Sequence, residues 1–425
     1  MHRDFSLQTG RGSPKVAVLD AVHGAKTIAQ QMACCGLEAE ALEVYHHTPR
    51  VAGYDLVVAP VHISPKNPVM AEARRLGKRV ITHHQAVGEL LGLELESAPA
   101  LKVFEITGTH SKTTTALLLS KMLSARRLVV SHTTRGIELW SGGSSRLLCQ
   151  GLSITPGNAI PAMAEAVSNR ADALVLEVSL GGTGLADFGV LTSFSGDYMI
   201  AGGTKWASTA KLQMVSLAKR GSRLVANTDV RISPDVSFGS NGQVRAEPGR
   251  IHFKEIGHNI MGHNIRLGED LDFPSYQTAL AAAAATAHAA GTDIDEIVSS
   301  LEGFDGFGGR MKIDRREGLT VYDCSNSGLK LSDVKRALDN ASGGSLGMVV
   351  GEEAETVCEG MDVPGLVELL KVRRKEIGNL VLVGKRLEPW AKELEAKTAR
   401  DLTAGREAAV DHEIDRLLLC VKCFR

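Results

Sequence analysis

Short runs of consecutive aliphatic residues recur along the chain. Each is ended by a polar or turn-forming residue and separated from the next by a stretch with helical spacing. The first run, Val16, Ala17, Val18 and Leu19, ends at Asp20 and predicts a buried strand over 15–20. Residues 25–35 predict a helix, 39–45 and 55–61 two further strands, 71–77 a helix and 79–82 a fourth strand. Residues 94–100, with Pro99, read as a linker. A second segment carries strands at 102–106, 174–176, 190–192 and 223–226, and an Ala-rich stretch, 279–290, that reads as a buried helix. Two copies of Gly-His-Asn, at 257–259 and 262–264, fall in a predicted hairpin. A third segment alternates again, with strands at 319–322, 346–350 and 380–383 and a helix over 363–374. Strands alternating with helices point to parallel sheets, so the chain reads as three α/β units in a row.

Composition narrows the class. The 425 residues suffice for two or three domains with proper cores. Lys and Arg total 48 against 49 Asp and Glu, so no global field recruits nucleic acid or an anionic membrane. Aromatics make up 4% and glycines number 44, a mixture suited to aliphatic parallel strands joined by tight turns. No run is long enough to span a bilayer, and residues 1–12 are polar without a signal-peptide core. The seven cysteines show no disulfide framework, which points to the reducing cytoplasm. Cys420 and Cys423 form a single CxxC, read as a partly buried structural pair rather than a metal site.

The sharpest chemical signal is residues 107–115, Thr-Gly-Thr-His-Ser-Lys-Thr-Thr-Thr. It follows a predicted strand and opens a helix running to about residue 123. A strand–turn–helix aims backbone N–H groups and the positive end of a helix at a phosphate chain. Lys112 then reaches the β- and γ-phosphates, and Thr113 can ligate Mg²⁺.

Gly108, Thr109, His110, Ser111, Lys112, Thr113 and Thr114 together resemble the phosphate loop of the Mur ligases, usually Gly-Thr-x-Gly-Lys-Thr. Ser111 stands where that family has glycine. Further matches follow in the family's order. Glu177 and Ser179 resemble the Glu-x-Ser segment whose glutamate holds Mg²⁺. Asp197-Tyr198 followed by Ala210-Lys211 resembles Asp-His followed by Ala-Lys, with Tyr198 replacing the histidine. The family's lysine is often carbamylated and helps to ligate a second Mg²⁺; Lys211 alone is equally compatible with a surface helix lysine. Asn227, in Asn227-Thr228-Asp229, resembles a strand end near the nucleotide. Gln277 occupies the place of an asparagine that contacts adenine. Arg310 sits in a Gly-Arg-Met junction, and Asp323 with Asn326 resembles a stretch that meets the ribose.

The resemblance implies an ATP- and Mg²⁺-dependent ligase that activates a carboxylate as an acyl phosphate. Its fold is α/β on the three-domain Mur ligase plan. A Rossmann-like substrate-binding domain covers 1–98, a central P-loop ATPase-like domain 99–312, and a second Rossmann-like domain 313–425.

Six of the fourteen histidines lie between residues 20 and 84, and no Gly-rich diphosphate loop for a UDP-sugar accompanies them. His23, His62, His83 and His84 are candidates for substrate binding, and the last three for the base. Any one of them is also compatible with a turn residue satisfied by backbone groups. Pro60-Val61-His62, Thr82-His83-His84 and residues 179–184 resemble one branch of the Mur-like ligases, the coenzyme F(430) synthases of methanogenic archaea. That branch activates a propionate on a polycarboxylated nickel tetrapyrrole and closes a carbocyclic ring by carbon–carbon bond formation. Two other readings remain open: an amide-forming ligase that adds an amino acid, and a non-catalytic nucleotide-gated tetrapyrrole-binding protein.

Overall fold

Buried strands form where the aliphatic runs predict them. The computed structural model describes residues 13–22, 24–254, 261–316, 318–353, 360–410 and 413–424. His23 and the first Gly-His-Asn copy lie outside these. The chain divides into two compact units, one of Met1–Asn264 with Thr278–Ser300, the other of Ile265–Gln277 with Leu301–Arg425.

The first unit holds two sheets. Its four-stranded sheet runs Glu38–Leu42, Lys15–Leu19, Leu56–Ala59, Arg79–Thr82, and all its pairs are parallel. All four carboxyl ends therefore share one edge, where open α/β sheets bind ligands. Asp20, Tyr45, His62 and His83 each follow one of these strands by no more than three residues.

The second sheet of this unit has eleven strands. Lys102–Thr107 lies in its parallel centre, between Phe188–Leu191 and Ala173–Glu177, with Arg223–Asn227 and Val129–Thr133 beyond. Antiparallel strands extend both ends, Gly136–Ser141 and Ser144–Cys149 on one side and Val244–Glu247, Arg250–Phe253 and Met261–Asn264 on the other. The helix Lys112–Leu123 is buried at ten of its twelve positions, which fixes the phosphate loop on a rigid element.

Residues 94–100 are not the linker that Pro99 suggests. Thr82 caps a helix over His83–Ser97 by accepting the Gln85 N–H at 3.1 Å. Val87, Leu90 and Leu91 of that helix join one core with Ile160 and Met163 of the helix Ala159–Ser168 and with Leu174 and Leu176 of the large sheet. Each such side chain contributes roughly 1.5–3 kcal/mol by leaving water, so apolar burial carries the helix to Ser97. The same shared core ties the two sheets into one unit.

The second unit is built on a six-stranded sheet in the order Lys312–Arg316, Leu319–Asp323, Arg416–Lys422, Leu346–Glu352, Asn379–Val383, Lys397–Ala399. Only the first pair is antiparallel. Arg416–Lys422 is one of its two middle strands, so Cys420 and Cys423 are fully rather than partly buried.

Candidate active site

The phosphate loop departs from helical geometry at two residues. Gly108 has φ +152°, and a Cβ there would lie 2.0 Å from Thr192 Oγ1, so only glycine fits. Ser111 adopts the left-handed conformation at φ 63°, which costs a non-glycine residue about 1–2 kcal/mol. The serine thus keeps the backbone turn that the family's glycine makes. Behind the loop, the Thr192 hydroxyl donates to the His110 carbonyl at 2.6 Å and the Thr109 N–H to the Ser193 carbonyl at 2.7 Å. Asn227 donates to the Thr192 carbonyl at 2.9 Å, and Asp229 accepts the Phe194 N–H at 3.3 Å. Asn227 and Asp229 therefore brace the wall on which the loop rests.

The Thr109 hydroxyl is buried and has no hydrogen-bond partner among the described residues. An unmet buried donor costs about 1–3 kcal/mol, and an anion in the loop removes that cost. The glycine-only turn and this hydroxyl fit a nucleotide phosphate. Thr113, on the first turn of the helix, donates to Glu177 Oε1 at 2.9 Å and Oε2 at 2.8 Å. Glu177 ends the neighbouring strand, is 2% exposed, and also accepts the Thr134 N–H at 3.3 Å. A hydroxyl and a carboxylate are hard oxygen donors of the kind Mg²⁺ takes alongside water and phosphate. No group of three or more His, Cys, Asp and Glu side chains is placed to hold a metal among the described residues.

The Gly-rich segment after Glu177 is tied down from three sides. Glu105, fully buried on the central strand, accepts the Thr183 N–H at 3.1 Å. Burial raises its pKa, opposed by the hydrogen bonds from Thr183 and Gly184. Gln213 donates to the Leu180 carbonyl at 3.2 Å, and its side-chain oxygen accepts the Thr82 hydroxyl at 2.8 Å. His84 Nε2 lies 2.8 Å from the Ser179 carbonyl. Two of these three ties come from the start of one helix, so the small sheet's carboxyl edge is fastened to the chain just past Glu177.

Lys211 is 1% exposed, so the surface alternative is excluded. Its ammonium sits 4.9 Å from the centre of the Tyr198 ring, a cation–π arrangement. Asp197 accepts the N–H groups of Tyr198 and Ser208, each at 3.0 Å. Burial would raise the Asp197 pKa, but the Ser208 and Tyr198 hydrogen bonds and the Lys211 charge together hold it below the usual value.

At the small sheet's edge the histidines divide into two kinds. His83 and His84 are buried at the head of a helix, His83 with Nε2 2.9 Å from the Leu19 carbonyl. Burial pushes their pKa values down to about 3 and about 4, so both are neutral. His62 has a partly exposed ring, 31%, beside Asp20 and Tyr45. Neither Asp20 nor Tyr45 was singled out by sequence, because only the fold closes their strand ends together.

In the second unit, Asp323 accepts the Gly309 N–H at 2.9 Å and Asn326 donates to the Gly309 carbonyl at 3.0 Å. The two ribose candidates thus grip the residue next to Arg310, which is half-buried, while Gln277 is exposed. Tyr276, fully buried, accepts the Phe307 N–H at 2.7 Å and holds the same junction from the other end. It is a positioning residue that the motif reading passed over in favour of its neighbour.

A family model described as the C-terminal domain of the coenzyme F430 synthetase CfbE matches residues 313–423. The coenzyme F(430) synthetase of Methanosarcina acetivorans is 35% identical over 97% of this chain and 99% of its own length. Among solved structures, MurF from Acinetobacter baumannii superposes with a TM-score of 0.58 at 15% identity, covering 89% of each chain. Escherichia coli FolC, solved with DHPP and ADP, superposes at 0.54 and 17% identity, covering 80% of this chain and 90% of its own. These two show a shared fold. With near full-length identity to the archaeal synthetase, the chain belongs to the coenzyme F(430) synthetase family of ATP-dependent ligases, built on the Mur ligase plan.

Proposed function

We infer that this ligase activates a propionate of a polycarboxylated nickel tetrapyrrole as an acyl phosphate and closes a carbocyclic ring by carbon–carbon bond formation. The observation that carries the chemistry is the Thr113–Glu177 pair on the first turn behind a glycine-dependent phosphate loop. The substrate class is supported by the 35% identity to the archaeal synthetase and by the edge that carries His62.

Functionally the chain divides at 1–98, 99–312 and 313–425 into substrate, ATP and closing domains. Gly108 to Thr114 hold the phosphates of ATP, with Lys112 supplying the positive charge that a transferring phosphoryl group needs. Thr113 and Glu177 would hold Mg²⁺, which when bound neutralises phosphate charge, and Lys211, carbamylated or free, serves the same metal region from a buried position. Asn227 supports the loop wall; Gln277, Arg310, Asp323 and Asn326 serve the adenosine. His62 faces the tetrapyrrole, and His23 remains a candidate for binding it from its place in the sequence. His83 and His84 act through the backbone they bind. Intramolecular attack suits this scaffold, because the nucleophilic carbon is tethered to the activated carboxyl and no second substrate site is needed.

The test is to incubate the protein with ATP, Mg²⁺ and the open-ring nickel compound, with no amine present, and to weigh the product. Loss of one water with release of ADP and phosphate is the expected result. Reaction only after an amino acid is added would make the protein an amide ligase. Binding without ADP release would make it a nucleotide-gated tetrapyrrole carrier.

A further inference from the structure

Asp20 ends the first strand of the small sheet with φ 75°. That left-handed conformation costs a non-glycine residue about 1–3 kcal/mol and persists only where the surroundings impose it. Its side chain is completely buried. Oδ1 accepts the Val22 N–H at 3.1 Å, and Oδ2 accepts the Tyr45 hydroxyl at 3.1 Å and lies 3.3 Å from His62 Nε2. The Tyr45 oxygen and His62 Nε2 are themselves 3.1 Å apart. Three side chains from three adjacent strand ends therefore close a triangle on the ligand-binding edge.

The triangle sets the state of each member. Tyr45 gives its hydrogen to Asp20, so its contact with the imidazole requires the ring hydrogen on Nε2. The lone pair of His62 is then on Nδ1. Burial, followed by the Asp20 charge and hydrogen bond and by Glu43, raises the Tyr45 pKa well above the ordinary value, so Tyr45 stays a phenol. Among the described residues, the neighbouring titratable groups include His83, which feels both Asp20 and His62, and His84, which feels His62; both are neutral by burial. A carboxylate buried under a partly exposed imidazole is the arrangement by which an acid orients a base.

We propose that Asp20 is the positioning residue that fixes His62 as the proton acceptor in ring closure, with Tyr45 locking the pair. This rests on the ring-closing reading above. The substrate's C–H proton passes to His62 Nδ1. The C–H electron pair forms the new bond to the acyl carbon, the acyl C–O bond breaks, and phosphate leaves with that pair. His62 returns the proton to water, and no oxidant or reductant is required.

The decisive measurement is the yield of closed ring per ADP, run beside hydroxylamine trapping of the acyl phosphate as hydroxamate. In Asp20→Asn and His62→Ala, closed ring per ADP should fall about 10²-fold, the low end of what general-base removal gives. At saturating substrate, hydroxamate per ADP should rise as closed ring per ADP falls, because the acyl phosphate forms but does not close. Added imidazole should restore ring closure to His62→Ala, which no merely structural role allows. Tyr45→Phe should lower closure less than either. If Asp20→Asn fails to fold, His62→Ala with imidazole decides the question. Wild-type yield per ADP in the folded variants, or no rescue by imidazole, overturns the proposal. A wild-type protein that gives hydroxamate but never a closed ring overturns the ring-closing reading instead.

Discussion

The Thr113 hydroxyl bridges both carboxylate oxygens of Glu177, at 2.9 and 2.8 Å, across a sequence separation of 64 residues. The pairing follows from strand register. Ile106 lies opposite Glu177, so the strand that ends in the carboxylate stops level with the strand that feeds the phosphate loop. The first helical turn then brings Thr113 over it. Two hard oxygen donors are thus brought together by two strands and one turn.

Lys112 opens that helix and is half-buried. Lys112→Ala removes the charge proposed to meet the phosphates and leaves the apolar face of the helix intact. ADP release should fall by about 10²–10³, the usual loss when one preorganised charge partner is deleted. The melting temperature should move by less than about 3 °C. Near-normal substrate-coupled ADP release in this variant would remove the phosphate site from residues 108–114.

Gly108→Ala should be worse than Lys112→Ala for the fold. The new Cβ would lie 2.0 Å from Thr192 Oγ1 and 3.0 Å from the Ser193 nitrogen, at a φ of +152° that alanine rarely adopts. Loss of about 2–4 kcal/mol in urea unfolding and loss of ATP binding are expected together. Ser111→Gly should do the reverse. It relieves the left-handed serine and should stabilise the protein by up to about 1 kcal/mol.

The parts of this site that lie within one contiguous stretch are legible in the sequence. Residues 107–115 announce a phosphate loop because the strand, the turn and the helix start are neighbours along the chain. Glu177 is legible as the polar end of a buried run. Asp20, Tyr45 and His62 are not legible as a triangle, since nothing local says that three strand ends will sit side by side. The Thr82 cap was hidden for a different reason: Thr-His-His reads as well at a strand end as at a helix start. Ser144–Cys149 lacks a buried face at nearly every position, so its hydrophobic pattern gives no strand signal. Arg416–Lys422 is a middle strand whose apolar run, 417–421, is as legible as any other, but its CxxC points equally to chemistry.

Stability should fall as pH drops through the histidine range. Burial holds His83 at about 3 and His84 and His132 at about 4, below the ordinary 6.5. Between these values the unfolded chain binds more protons than the folded one, so unfolding free energy rises with pH. The contribution is fully present above about pH 6.5 and is lost progressively toward pH 4, at about 2 kcal/mol per histidine by pH 5. Urea unfolding at pH 7.5 and at pH 5 measures it. His84→Gln, which can still donate to the Ser179 carbonyl, should flatten the slope; an unchanged slope would mean that His84 is protonated in the fold.

Lys211 separates a functional buried charge from a structural one. Taking an ammonium out of water costs several kcal/mol unless it is compensated, and here the compensation includes the Tyr198 ring at 4.9 Å and the nearby Asp197 charge. Tyr198 stands where the Mur ligases carry histidine, so a ring face replaces an imidazole beside this lysine. Tyr198→Phe keeps that face and should retain activity within about twofold, whereas Tyr198→Leu removes it and should cost about 1–2 kcal/mol of stability. Lys211→Met fills the same space without the charge. Replacing a buried ion by an apolar side chain of similar length is often neutral or stabilising, so the melting temperature should hold or rise. If the charge serves phosphoryl transfer, ADP release should nonetheless fall by about 10² or more. Stability and activity then move in opposite directions, which a purely structural lysine cannot produce; full activity in Lys211→Met would take Lys211 out of the active site.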